Sequence, residues 1–247
     1  MSKPIRVLFK LLLTFTILIC CSTNKKNIFS YELPYELSYE ELYKNAVMDA
    51  MVAEEDEISD HLINIVESNE YLSWSGNDGE KRVLVVTWTH YPDSYPVGDT
   101  ITTWWGETWV TAVPEVKDWF ANNKISENKI ENRLKQLLGL PIDETNTHFI
   151  EMWVRPDALF RPSPDNEITD TVASLDFPVT AEGWYIEWYD ENIINSYFPI
   201  RYPWTRLGYT YDWGNKYNEI GVSEFVIKKD SKVIVESKDP TLIYISD

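Results

Sequence analysis

The two cysteines of this chain stand side by side, as Cys20 and Cys21, and residues 22–247 contain none. No internal disulfide can staple anything beyond residue 21, and no thiolate can hold a metal or act as a nucleophile there. A bond between sequence neighbours is strained, so the pair does not bridge itself. Whatever folds must therefore be held by burial of apolar surface. The material suffices: 247 residues, 44% apolar and 25% charged, match a chain with one sizeable core.

Large rings dominate that apolar fraction, with 11 Trp and 15 Tyr. Two readings follow. Either the rings build a sheet-rich core, where aromatic residues pack well on a pleated surface, or some of them line a binding face. The net charge of −18 excludes a nucleic-acid partner, because a phosphate backbone needs a basic footprint. It also keeps the body away from anionic lipid unless something tethers it.

The cysteine pair ends a patterned leader. Lys3, Arg6 and Lys10 give a basic start, and an apolar run follows from Leu11 to Ile19, broken by Thr14 and Thr16. The run is too short to cross about 30 Å of hydrocarbon, which takes about 20 residues. It reads as the hydrophobic region of a secretion signal. Leu18, Ile19, Cys20 and Cys21 resemble the lipobox of bacterial lipoproteins: an aliphatic residue, two further residues, then cysteine. The resemblance implies a diacylglyceryl group on the Cys21 thiol, cleavage before that residue and acylation of the new amine. Cys20 stands where Gly, Ala or Ser is commoner. Modification of Cys20 with Ile17 in the aliphatic slot, an ordinary signal peptide and an uncleaved anchor are the alternatives. Two or three acyl chains make a durable anchor where one does not. Ser22 follows the modified residue in place of Asp, which favours the outer membrane over the inner. The expected organisation is a signal over 1–20, a lipidated cysteine and polar tether over 21–38, and one globular domain over 39–247.

Beyond the tether, Ser38 and Glu41 have the spacing of a capping box. Leu42, Ala46, Val47, Ala50 and Met51 continue with a helical period that extends toward Ile58, Leu62, Ile63 and Val66, as one helix or two. "RVLVVTWTHY" reads as a buried strand. "TITTWWGETWVTAV" reads as a hairpin turning at Gly106 and Glu107, which brings Trp104, Trp105 and Trp109 together. Helices are predicted at "PEVKDWFANN", after Ser126, and at "TAEGWYIEWYDENIINSYF". "THFIEMWV" and "WTRLGYTYDWG" read as strands, and "GVSEFVIKKDSKVIVESK" as a closing hairpin at Asp230 and Ser231. The predicted class is α+β, with antiparallel strand pairs interleaved with helices.

Chemistry has few places to reside. His61, His90 and His148 have no metal-binding spacing, since His148 and Glu151 fall on opposite faces of a strand. No nucleophile elbow is present, and nine glycines include no phosphate-cradling loop. Neither a metal nor a cofactor is expected. Arg155 and Arg161, each followed by proline, have forks suited to carboxylate or phosphate, and equally to the neighbouring Asp157, Asp165 and Glu167. Glu224 sits in an apolar strand as a tuned base or as a solvent-facing hairpin residue. An Arg, a Ser (Ser223) and a late strand Glu among tyrosines is loosely similar to the layout of ADP-ribosyltransferase-like domains. Two function classes result. The first is a lipid-anchored envelope module that recognises a glycan or a partner protein through Trp104, Trp105, Trp109 and Tyr91. The second is an envelope enzyme, ADP-ribosyltransferase-like or a carboxylate-dependent hydrolase, joining Arg155 and Arg161 to His90 and Glu224.

Overall fold

The computed structural model describes residues 37–246; the leader, Cys21 and the tether to residue 36 lie outside them. The first helix, α1 (Tyr39–Asp49), starts as its cap dictates. The Ser38 hydroxyl accepts from the Glu41 amide at 3.3 Å, and the Glu41 carboxylate accepts from the Ser38 amide at 2.9 Å. The helix stops at Asp49, short of the predicted extension. Residues 58–73 form a strap whose amides bond elsewhere, Leu62 N–H to Thr171 O and Ile65 N–H to Ile168 O. Its apolar residues are buried by tertiary contact, with no helical ladder of their own.

The remaining elements are β1 (Trp74–Ser75), β2 (Arg82–Thr89), β3 (Thr100–Thr102), β4 (Thr108–Ala112), α2 (Glu115–Asn123), α3 (Ile130–Leu137), β5 (His148–Val154), β6 (Leu159–Phe160), α4 (Gly183–Tyr197), β7 (Tyr209–Tyr211), β8 (Ile220–Ser223), β9 (Phe225–Ile227), β10 (Lys232–Pro240) and α5 (Thr241–Ser246). Eight strands form one antiparallel sheet in the order β3-β10-β5-β2-β4-β9-β6, with β1 beside β2. Strands β7 and β8 pair separately. The fold is α+β.

Neither predicted hairpin forms. Strand β3 pairs with β10 and β4 with β9, so the two expected hairpins exchange partners. The register runs from Thr102 opposite Lys232 to Thr108 opposite Ile227, with one residue of slip across the gap. Two long bent strands, 100–112 and 225–240, thus lie against each other. Thr103 joins them at the bend: its hydroxyl donates to Lys228 O at 3.0 Å and accepts from the Ser231 amide at 3.1 Å. Asp230, at φ +60°, makes the predicted reversal, but as a corner between sheet partners.

Because both bent strands are continuous chain, the path β2-β5-β10 meets the path β2-β4-β9, and the sheet curls around a common interior. Val83, Val85, Val110, Ile150, Met152, Phe225, Ile227, Val233 and Val235 fill it. Each such side chain stabilises by roughly 1.5–3 kcal/mol when fully buried. On the outside, Leu84, Val86 and Phe149 take α2, α3 and α5 through Phe120, Leu134 and Tyr244. A third layer sets α1 and α4 against Phe160 and Val226, and it is largely rings: Tyr185, Tyr189, Tyr197, Trp188, Trp204 and Trp109.

Candidate functional site

Arg161 leaves β6 and is 0% exposed. Its Nη1 donates to Asp170 Oδ1 at 2.6 Å and to Val172 O at 3.1 Å; Nη2 donates to Asp170 O at 2.8 Å and Ile63 O at 3.2 Å. Its stem lies against Gly208, which has φ +74°; a Cβ there would fall 2.5 Å from Arg161 Cδ. Burial draws the guanidinium pKa down, and the Asp170 carboxylate opposes this. Arg161 thus bolts the 58–73 strap at Ile63, the 168–172 segment and the end of β6 together. Arg155 is half-exposed and forks onto Asp157, with Nε and Nη2 each at 3.0 Å from a carboxylate oxygen. That hydrogen-bonded fork holds the Asp157 pKa below its ordinary value.

His90, just after β2, sits with Nδ1 3.3 Å from Asn146 Oδ1 and 3.7 Å from a Glu144 oxygen, its ring against Tyr91. Glu224 joins β8 to β9, and its amide donates to Gly208 O at 2.9 Å. Alternation with Phe225 places its side chain on the Val226 side, toward the ring layer, where its charge bears on Tyr197. The half-buried carboxyl takes no hydrogen bond among the described residues, and burial pushes its pKa up to about 8. The carboxylates that bear on Arg161 are Asp170, Asp165 and Glu167. Arg161 and Glu224 both meet Gly208, one through its stem and the other through its amide, but among the described residues no ion pair joins their side chains, and neither Arg155 nor His90 is paired with them.

A second half-buried acid had no signal in the sequence. Glu115 opens α2, and its Oε1 accepts from the Ser223 amide at 2.9 Å and hydroxyl at 3.1 Å. Its Oε2 is buried without a partner, and burial pushes its pKa up to about 7. Only the fold brings the start of α2 to the end of β8, 108 residues away.

The rings divide between core and surface. Trp88, Trp204, Trp213 and Tyr209 are buried. Trp109 packs on Trp188 and Trp204 in the ring layer, because β4 faces β9 and does not return along β3. Trp104 is 72% exposed and meets Trp105 edge-on with centroids 5.9 Å apart. Trp105 is fixed from below, edge-on to buried Tyr95 at 5.4 Å and with Nε1 donating to Thr108 Oγ1 at 3.3 Å. Glu107 and Asp230 are exposed on the same corner, and the Asp230 amide donates to Thr103 O. Tyr91 is also exposed, against His90.

The chain matches no family model, no curated protein and no solved structure. Its own residues carry the functional reading. Among the described residues no three His, Cys, Asp or Glu gather to hold a metal, and no helix is long and apolar enough to cross a membrane.

A cleft of about 210 Å³ opens beside the ring layer, lined by Met51, Val52, Ala53, Pro164, Leu175, Tyr189 and Arg206. Arg206 precedes β7 in a left-handed conformation, φ +60°. Nothing in its local sequence distinguishes it from a surface arginine.

Proposed function

We propose that this chain is a lipid-anchored recognition module of a bacterial cell envelope, tethered through Cys21, which presents the Trp104–Trp105 corner to a glycan. The observation that carries the glycan reading is an indole 72% open to solvent on a base fixed by Tyr95 and Thr108. A large ring that already rests edge-on against a fixed neighbour offers a flat apolar face for stacking and has less freedom to lose than an unsupported one. The C–H face of a sugar ring is such a face, and Glu107 and Asp230 are placed to accept from its hydroxyls. The basic leader, the apolar run and the lipobox-like end support the anchor. Outer-membrane placement rests on Ser22 alone. The enzyme reading needs Arg155, Arg161, His90 and Glu224 to share one space, and no observation favours it.

Two measurements test this. Intact mass of the native N-terminus should show an acylated Cys21; an unmodified chain starting at Met1 would remove the anchor. Tryptophan fluorescence of the full chain in detergent should respond saturably to chito-, cello- or manno-oligosaccharides. Trp104→Ala should abolish that response and leave the melting temperature unchanged. No response to any of the three series refutes the glycan reading.

A further inference from the structure

The described residues contain six arginines, and three are committed to aspartates: Arg133 to Asp212, Arg155 to Asp157 and Arg161 to Asp170. Arg206 has no carboxylate partner among the described residues, although the chain is strongly acidic. Its Nη2 donates to Ala50 O at 3.2 Å, its Nε is buried without a partner, and its guanidinium lies 5.6 Å from the centre of the Tyr197 ring. Burial of the neighbouring Tyr189 phenol keeps it neutral, with a pKa pushed up to about 12, and a phenol can donate. Asp190, the next residue of α4, is exposed and forms no ion pair with Arg206. A half-buried cation without a counterion is costly. The left-handed backbone adds strain that a non-glycine residue sustains only when its surroundings impose it, and such strain gathers at ligand clamps. The structure therefore holds a guanidinium at the wall of a cleft with its charge unanswered.

The other walls limit what can answer it. Met51, Val52, Ala53, Pro164 and Leu175 are apolar and come from two separate segments, the turn after α1 and the link from β6 to α4. One cationic end facing apolar walls suits a ligand with one anionic head and a short hydrocarbon body. The volume of about 210 Å³ is the share of about seven waters, which restricts the ligand to a handful of heavy atoms.

We propose that the Arg206 cleft binds a small aliphatic monocarboxylate, its carboxylate on Arg206 and Tyr189 and its tail against Met51 and Leu175. The site shares no residue with the Trp104–Trp105 corner and stands whether or not the chain is lipidated.

Calorimetric titration of the full chain in detergent with pentanoate tests the proposal, against acetate, inorganic phosphate and pentanol. Pentanoate should bind at least tenfold more tightly than acetate or phosphate, and pentanol should not bind measurably. Arg206→Gln and Leu175→Trp, the second filling the cleft, should each weaken pentanoate at least tenfold. If Arg206→Gln does not fold, Leu175→Trp decides, with its melting curve as the check on folding. Phosphate binding as well as pentanoate, pentanol binding as well as pentanoate, unchanged affinity in a folded variant, or no pentanoate binding would each overturn the proposal.

Discussion

Replacing Glu224 with glutamine keeps the shape of the side chain and removes its proton equilibrium. In the folded protein burial pushes this carboxyl from 4.5 to about 8, so between those pH values the folded state holds a proton that the unfolded chain has released. Stability then falls as pH rises, because unfolding is favoured wherever the native state binds more protons. The loss begins near pH 4.5 and is complete above about pH 8. At about 1.4 kcal/mol per tenfold, the full gap amounts to roughly 5 kcal/mol, and water reaching the half-buried carboxylate trims it to about 3 kcal/mol. Wild type and Glu224→Gln should therefore unfold alike in urea at pH 4. At pH 9 the variant should be the more stable by about 3 kcal/mol. The difference between the two proteins isolates this group from Glu115, which titrates in an overlapping range. A difference that stays flat from pH 4 to pH 9 refutes the reasoning, since it would mean that Glu224 ionises as easily in the fold as in the open chain.

Three further outcomes follow from particular contacts. Arg161→Ala should cost about 3–5 kcal/mol in chemical unfolding, because it opens a cavity and leaves the Asp170 carboxylate and three carbonyls without their donor; Arg155→Ala, on a half-exposed fork, should melt like wild type. Gly208→Ala should destabilise by more than about 1 kcal/mol, since the new methyl group meets Arg161 Cδ at a residue with φ +74°, and a thermal melt within error of wild type would contradict the tight approach. Thr103→Val should cost about 1–3 kcal/mol in urea, because it strips the hydroxyl that both donates and accepts between the two bent strands.

Several elements were legible without coordinates because their causes are local. The Ser38 and Glu41 pair lies three residues apart and forms the same cap in any context that lets α1 start. The run Arg82–Thr89 is β-branched and apolar, and it became the strand at the centre of the sheet, buried on both faces. The turns at Gly106 and Asp230 were also legible, and both residues do have positive φ. What failed was the step from a turn to a pair. A turn reverses the chain, but the strand that follows it bonds to whichever edge the rest of the fold presents. Here β10 and β9 presented better edges to β3 and β4 than these two did to each other. With that step went the expectation that Trp109 joins Trp104 and Trp105.

The same division holds for the candidate site. The acidic charge, the absence of thiols beyond residue 21 and the excess of rings were settled by composition, and they rule chemistry out more than they name any. Which rings face water, which arginines are spent and which acids are buried depends on groups far apart in the chain. Arg161 is answered by Ile63 and Asp170, Glu115 by Ser223, and Arg206 by Ala50 and the Tyr189 and Tyr197 phenols, with no carboxylate among the described residues. Residue order by itself determined the local geometry: caps, turns and strand alternation, each fixed by interactions a few residues long. Tertiary structure alone decided the strand partners and the state of every charge, because burial and pairing energies arise between segments that only the folded chain brings within reach.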